Sequence, residues 1–488
     1  MLLLRGSRSS VVSTEARTLH SSSYHRKVVI ARLTDLTHGQ FNEVVQQGAA
    51  GILIFLPQNF TTIAPDKLKA LMELEHALQE DAVPIPVYFA YETDELKDMY
   101  NSVQRTSDNG RTTSVAQELW SMLKASGFQL VVSGSQAKMI SDVQLSSIQG
   151  KLSGFGVEEQ LPTGVIVAHY DTFGISPALS FGGDSNGSGV AALLELARLL
   201  SRLYTNSRTH PHISVCILFL FRFTPLLFFS SSPEGSLLAD SLFTMCIDSI
   251  GSGDDLYVHV SKPPREGSAA ANLFNELQRA ATRLAPEMRV SMVHKKINLA
   301  DESLAWEHER FSMRRLPAFT VSHLPSHRAP SRSSIFDTAN SLEKDKLARN
   351  VKVLAEALAR ILYNVTDNES SLQVFRSSLE DYLGAWVDLL SSQPRGAQLM
   401  AKGKAPLVSM LEQALSRHLK EVRLSTFQPD KRCLPRSCLL LLCCQCPPLG
   451  GRALSCTNSE LVKRLSRPPH LAPVCCAPTF KVSEQPGA

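Results

Sequence analysis

The residues with the clearest chemical potential lie where apolar segments of the sequence end. His169 and Asp171 directly follow one apolar run, Asp248 follows another, and a glycine-rich loop at 182–189 lies between them. In open α/β sheets, ligand sites gather outside the carboxyl ends of the strands. A histidine and carboxylates at that position are the ligand types of a zinc site. Each motif is weak alone, but the three in order predict a metal-type site at a sheet edge.

Segments that alternate between strand-like and helix-like patterns must position these residues. Strands are predicted at 28–31, 51–56, 85–90, 128–133, 163–168, 242–247 and 316–321. The apolar run at 213–229 is predicted to be a buried strand with a distorted continuation. Helices are predicted at 38–47, 64–79, 114–125, 188–203 and 341–362. Residues 102–113 form a polar interval before the third of these helices. The alternation indicates an α/β fold.

Composition limits the possible classes of protein. The chain of 488 residues has 43% hydrophobic and 20% charged residues, which is typical of a globular protein. The formal net charge of +4 is too small to indicate a nucleic-acid partner. Eight of the ten cysteines follow residue 432, so the body is not a disulfide scaffold. Apolar runs at 213–229 and 438–444 are too short to predict a transmembrane helix.

The composition also divides the chain into five expected regions. A mobile segment is predicted at 1–23, because it is rich in Ser and Arg. The others are an N-terminal α/β lobe at 24–160, a second α/β domain at 161–366, a helical segment at 367–430, and a disordered Cys/Pro-rich tail at 431–488.

Several of these residues together resemble a known fold. The stretch His169 to Asp171, the 183–189 loop, Asp248 and the 316–319 strand look like the M28 type of zinc aminopeptidase. From about residue 13 to 432, the chain more closely resembles the nicalin family, which is related to nicastrin. The most telling stretches are 258–267, 306–311 and 311–326. The resemblance implies a mixed, mainly parallel sheet flanked by helices, with an N-terminal α/β lobe and a C-terminal helical segment.

The same resemblance implies that the metal site is vestigial. Active members hold two zinc ions with a His, a bridging Asp, a Glu, an Asp and a second His. The first His and the later Asp match His169 and Asp248, whereas the bridging Asp matches Ser185 and the second His matches Ser333. The resemblance therefore implies no catalytic residue, no metal and no cofactor.

One alternative keeps a reduced metal site. A single zinc ion on His169 and Asp248, assisted by Asp184 or Glu234, would make the chain a zinc-dependent aminopeptidase. Other polar groups have structural interpretations. His294, His308, His323 and His327 match no common ligand spacing, and 307–310 is predicted to be a structural ion cluster.

The resemblance also implies a function and a location. We expect a non-catalytic subunit of an endoplasmic reticulum membrane complex, with its body in the lumen. Its partners would be Nodal modulator and a small multipass membrane protein, at a translocon that inserts multipass proteins. The family is also linked to antagonism of Nodal signalling.

Two further expectations follow. The family's N-terminal signal sequence and C-terminal transmembrane helix are not recognisable here, and a segment of the family between Phe229 and Ser236 is replaced by an apolar run. We therefore expect an aberrant or alternatively spliced form. Asn-X-Ser/Thr sequons occur at Asn59, Asn186, Asn364 and Asn368, of which Asn186 and Asn364 are the predicted glycosylation sites.

Overall fold

Two sheets organise the chain in the computed structural model. It describes residues 12–21, 23–80, 83–108, 128–133, 144–157, 161–176, 178–205, 210–221, 241–299, 304–365, 380–396, 405–427 and 479–484. The chain divides into one unit of residues 1–141 with 440–488, and a second unit of residues 142–439.

The first unit contains a six-stranded sheet. Its strands are β1 (Val12–Thr18), β2 (Val28–Arg32), β3 (Gly51–Leu56), β4 (Val87–Tyr91), β5 (Phe128–Ser133) and β14 (Thr479–Glu484), in the order β14-β5-β1-β2-β3-β4. Strands β1 to β4 are parallel, whereas β5 and β14 are antiparallel additions. The helices are α1 (His38–Gln46), α2 (Pro65–Glu80) and α3 (Asp94–Asp108).

Local sequence explains these elements. A capping box starts α1, in which Thr37 and Gln40 bond each other's backbone N–H groups. Strand β3 is buried along its whole length, as expected of a central parallel strand. Phe55 from β3 packs with Tyr100 from α3 in the core of this unit.

The second unit contains an eight-stranded sheet. Its strands are β6 (Leu145–Leu152), β7 (Thr163–His169), β8 (Ser214–Leu220), β9 (Ser241–Ile247), β10 (Leu256–Val260), β11 (Val290–His294), β12 (Ala318–Ser322) and β13 (Glu421–Phe427), in the order β11-β10-β12-β9-β7-β8-β6-β13. The helices are α4 (Gly189–Leu203), α5 (Ala269–Leu284), α6 (His308–Met313), α7 (Lys344–Leu362), α8 (Glu380–Leu390) and α9 (Pro406–Ser416).

The centre of this sheet positions the predicted site. Strand β7 lies between β8 and β9 and is parallel to both, so the three strands end at the same edge. Strands β7 and β8 are entirely buried. The apolar face of α4 is buried from Val190 to Leu200, which fixes the loop before α4 beside the end of β7.

The predicted fold class is confirmed: a mixed, mainly parallel sheet is flanked by helices, after an N-terminal α/β lobe. The strand pairs of the second sheet are parallel at β7–β8, β7–β9, β9–β12 and β10–β11. Among the described residues, no helix combines the length and hydropathy needed to span a bilayer.

Several predicted boundaries need correction. Residues 12–18 of the segment predicted to be mobile form β1, because this strand pairs on both sides and buries Ala16 and Thr18. Strand β6, placed by prediction in the N-terminal lobe, belongs to the second sheet, where it pairs with β8 and β13.

The C-terminal predictions also change. The segment predicted to be helical contains α8 and α9 but ends in β13. Residues 479–484 of the predicted disordered tail form β14, which pairs with β5. The polar interval at 102–113 is helical as far as Asp108, where α3 ends. The predicted helix at 114–125 and the continuation after Phe221 lie outside the described residues.

Candidate functional site

The predicted site residues do converge at the carboxyl edge of the second sheet. His169 ends β7, Asp248 follows β9, and the loop that contains Ser185 leads into α4. His169, Asp171, Ser185 and Asp248 are all buried. The sequence therefore predicted that these residues lie at one edge of the sheet, and the elements that bring them there.

Asn186 is the residue that joins these elements. Its Nδ2 donates to the carbonyl oxygens of His169 at 3.2 Å and Ile247 at 2.8 Å, and lies 3.4 Å from His169 Nδ1. Its Oδ1 accepts from the backbone N–H groups of Gly189 at 3.0 Å and Ser249 at 3.3 Å. A side chain at Gly189 would place Cβ 2.0 Å from Oδ1, so only glycine permits this close approach.

This geometry corrects the prediction of a glycan at Asn186. The residue is 0% exposed, and the nitrogen that would carry the glycan is bonded inside the protein. A glycan at this position would disrupt the junction of β7, β9 and α4. Sequence pattern alone missed this role, since the sequon and the buried carboxamide use the same residue.

Two carboxylates hold the loop before α4. The backbone N–H groups of Asp184 and Ser185 donate to Asp337 Oδ1 at 2.7 Å and Oδ2 at 2.8 Å. Burial, with a smaller effect of nearby Asp184, raises the pKa of Asp337 to about 7. Asp184 accepts from Gly251 N at 2.7 Å, and its Oδ2 lies 2.6 Å from His323 Nε2. The Asp184 carboxylate is thus engaged within the protein.

The two positions that match missing ligands carry hydroxyl groups. Ser185 is buried, and its peptide bond to Asn186 is cis. Ser333 is half-buried, with a left-handed φ of 65°. A neutral hydroxyl is a much poorer ligand for Zn²⁺ than the carboxylate and imidazole of the active peptidases.

The surviving carboxylate, Asp248, is neutralised by an arginine. Its Oδ2 accepts from Arg332 Nη2 at 2.5 Å, and its Oδ1 accepts from Ser249 Oγ at 2.9 Å. The Arg332 and Asp248 side chains are 5% and 1% exposed. Both carboxylate oxygens of Asp248 are therefore occupied by groups of the protein itself.

Two further contacts hold the Arg332 guanidinium in place. Its Nη1 donates to the carbonyl of Ala305 at 2.6 Å, and it lies 4.2 Å from the ring centroid of Trp306. Trp306 stacks in turn on His259 at 4.3 Å. Sequence analysis missed Arg332, although a signal was present: the cation directly precedes Ser333, where the second His is missing.

A second buried arginine, Arg395, packs against the loop before α4. Its guanidinium donates to the carbonyls of Phe181 and Gly182, and its backbone bonds Thr172 and Ser180. Burial lowers the pKa of Arg395 to about 10, against the opposing effect of Asp337 and Asp171. No periodic pattern marks this residue, so sequence analysis did not find it.

Two further histidines, His259 and His308, are buried. Burial lowers the pKa of His259 to about 4 and of His308 to about 3, which keeps both neutral near pH 7. His308 Nδ1 lies 2.8 Å from Thr320 Oγ1. The predicted ion cluster at 307–310 is present, with Arg310 3.2 Å from Glu307 and Lys295 3.3 Å from Glu309.

The residues present do not fit a pair of zinc ions. Within the part of the chain that the structure describes, no three His, Cys, Asp or Glu side chains are grouped to hold a metal ion. Two matched ligand positions are serines, and the Asp248 carboxylate is bound to Arg332. Glu234, which the single-zinc alternative would recruit, lies outside the described residues.

Comparison with known proteins agrees with this fold. Residues 151–221 match the model of peptidase family M28. The gamma-secretase component nicastrin has the same fold, with a TM-score of 0.56 at 10% identity, over 84% of this chain and 83% of that chain. The fold is therefore that of a peptidase-like protein of the M28 type.

Closer relatives show the family. The chain is 43% identical to "BOS complex subunit ncln" of Danio rerio, over 88% of this chain and 79% of that protein. It is 42% identical to "BOS complex subunit NCLN" of Homo sapiens, over 88% of this chain and 78% of that protein. The chain belongs to the nicalin family.

Proposed function

We propose that the chain is a non-catalytic, peptidase-like subunit of an endoplasmic reticulum membrane complex. Its partners are Nodal modulator and a small multipass membrane protein, at the translocon that inserts multipass proteins. Through the same complex it is linked to antagonism of Nodal signalling. In this proposal the fold supplies a binding surface and the cleft performs no reaction.

The ion pair between Arg332 and Asp248 carries the non-catalytic part of the proposal. A fixed guanidinium at 2.5 Å supplies the positive charge that a metal ion would otherwise provide to this carboxylate. Without a metal ion, no bound water is acidified towards neutral pH, and peptide hydrolysis has no nucleophile. The relatives' printed names, which describe subunits of a complex, support the part of the proposal that concerns assembly.

Affinity purification tests the assembly. The full chain, tagged and expressed in animal cells, is isolated from a detergent extract of the endoplasmic reticulum. We expect both partners to co-purify with it and not with a tagged lumenal protein of unrelated fold at equal expression. Recovery of the folded chain without either partner would contradict the proposal.

Glycosylation tests the lumenal location separately. Asn364 is exposed directly after α7, in a left-handed conformation with a φ of 48°. Val365 N bonds Arg360 O and Asn364 N bonds Ile361 O, so Asn364 closes the helix in a Schellman motif. We expect a gel shift on glycosidase treatment that is reduced in Asn364→Gln. A chain without any glycan would argue against lumenal exposure.

A further inference from the structure

The loop between β3 and α2 exposes the sequon at Asn59, which is not one of the two glycosylation sites predicted from the sequence. Asn59, Phe60 and Thr61 follow β3 and form a short 3-10 turn, with Asn59 at its start. Asn59 and Thr61 are both exposed, and Phe60 is half-buried. The sequon therefore lies on the surface of the first unit.

The turn fixes the Asn59 side chain in one orientation. Its Oδ1 accepts from Thr61 N at 3.0 Å and from Thr61 Oγ1 at 2.8 Å. Thr62 Oγ1 donates to the Asn59 carbonyl at 2.9 Å, which holds the following residue in the same turn. Among the described residues, Nδ2 of Asn59 makes no hydrogen bond, so the nitrogen that would carry a glycan has no competing acceptor.

We infer that Asn59 is a site of N-linked glycosylation. The inference rests on the lumenal location proposed above. The donor is a polyprenyl-diphosphate-linked oligosaccharide. A bond forms between Asn59 Nδ2 and the anomeric carbon of the first sugar, and the bond from that carbon to the diphosphate oxygen breaks. Nδ2 loses one proton, and the diphosphate leaves with the electron pair.

Asn186 lies in the same Asn-X-Ser/Thr pattern as Asn59, but Asn186 is buried whereas Asn59 is exposed. A glycan on Asn59 extends from an exposed turn and leaves every bond of the first sheet intact. A glycan on Asn186 would break the bonds to His169 and Ile247, so a chain modified there could not reach this fold. The fold therefore accepts a glycan at Asn59 and rejects one at Asn186.

The position also limits where a partner can bind. The loop lies at the edge where β3 and β4 end, since Gln58 Nε2 donates to the Glu92 carbonyl just after β4. A bulky glycan on Asn59 covers this edge of the first sheet. Partners that bind the first unit must then use another surface.

Site-resolved mass spectrometry tests the inference. The full chain is synthesised with endoplasmic reticulum microsomes, and the glycan is removed by an amidase in ¹⁸O-water, which marks each modified Asn. We expect the mark at Asn59 and not at Asn186. Asn59→Gln and Thr61→Ala should each remove one glycan, whereas Thr61→Ser and the matched control Asn364→Gln should keep the glycan at Asn59.

The possible results are distinguishable. A mark at Asn364 or Asn368 without one at Asn59 overturns this inference and leaves the lumenal location standing. No mark at any sequon overturns both. A mark at Asn186 in the folded chain would contradict the burial argument. Because Asn59 and Thr61 are exposed, near-ultraviolet circular dichroism should show that all four variants fold like the parent chain.

Discussion

Arg332 places a permanent positive charge 2.5 Å from Asp248, in a region where both side chains are almost completely buried. Desolvation makes such a pair expensive unless its remaining hydrogen bonds are satisfied. Here Ala305 O accepts from Arg332, and Ser249 Oγ donates to Asp248. Groups of the protein itself therefore support the pair at both ends.

Removing one partner should be more harmful than removing both. Arg332→Met leaves Asp248 as an uncompensated buried charge and should cost about 3–5 kcal/mol. Asp248→Asn should have a comparable cost, because the guanidinium is then unpaired. The double variant should lose much less than the sum of the two, as measured by urea unfolding. Arg332→Lys, which keeps the charge but not the planar contact with Trp306, is the control. Additive losses would contradict the pairing.

His259 makes the fold sensitive to acid. Its pKa is lowered to about 4 in the folded chain from an ordinary value near 6.5, because burial disfavours the imidazolium. Between these values the unfolded chain binds more protons, so stability falls as the pH is lowered from about 6.5 to about 4. This residue alone should contribute at most about 3 kcal/mol to that loss.

His259→Phe should reduce the acid sensitivity, since phenylalanine can still stack on Trp306 but does not titrate. The variant should be less stable at pH 7.5, because the Leu324 carbonyl loses its bond to His259 Nε2. The informative quantity is the change in unfolding free energy between pH 7.5 and 5 for each protein. Other groups, including Asp337 with its raised pKa, cancel in this comparison. Equal changes in both proteins would refute the assignment.

At the scale of elements, one carboxamide connects two strands and a helix. Asn186 bonds the ends of β7 and β9, and the first residue of α4 donates to it. Each of these elements ends at the cleft, where unsatisfied backbone groups would be costly. The position taken by a sequon in the sequence is therefore a structural junction in the fold.

The stability of Asn186 variants should depend on which buried groups each substitution leaves without a hydrogen-bond partner. Asn186→Ala removes the hydrogen bonds of the Asn186 side chain to two carbonyls and two N–H groups. Each buried group left without a partner should lower the free energy of unfolding by about 1–3 kcal/mol. Asn186→Asp should be worse near neutral pH, because it directs a negative oxygen at the His169 and Ile247 carbonyls. Thermal unfolding of both variants measures the order. Greater stability of the Asp variant would contradict the observed donor assignment.

The elements also show how far sequence can predict this structure. Strand β7 and helix α4 were predicted because an apolar run and a helical apolar face are local signals. The pairing of β6 with β13 joins residues such as Ile148 and Leu424, which no local pattern connects. Arg332 and Asp248 are 84 residues apart, so their contact also requires the complete fold. The residue types at Ser185 and Ser333 led to the prediction of lost ligands, whereas no local pattern indicated the contact between Arg332 and Asp248.

At the scale of the whole molecule, an M28-type fold carries serines at the two positions that the resemblance matches to zinc ligands. The second sheet still brings His169 and Asp248 to the same edge. Arginines now occupy this neighbourhood, Arg332 at Asp248 and Arg395 at the loop before α4. This arrangement is consistent with the non-catalytic role proposed above.

Zinc titration of the purified, metal-stripped full chain measures the central claim most directly. Calorimetry at neutral pH is combined with an assay of aminoacyl-peptide hydrolysis, and His169→Ala serves as the matched variant. We predict no stoichiometric heat that depends on His169 and no hydrolysis above buffer. One or two equivalents of zinc bound at the cleft, with binding and hydrolysis both lost in His169→Ala, would contradict the claim.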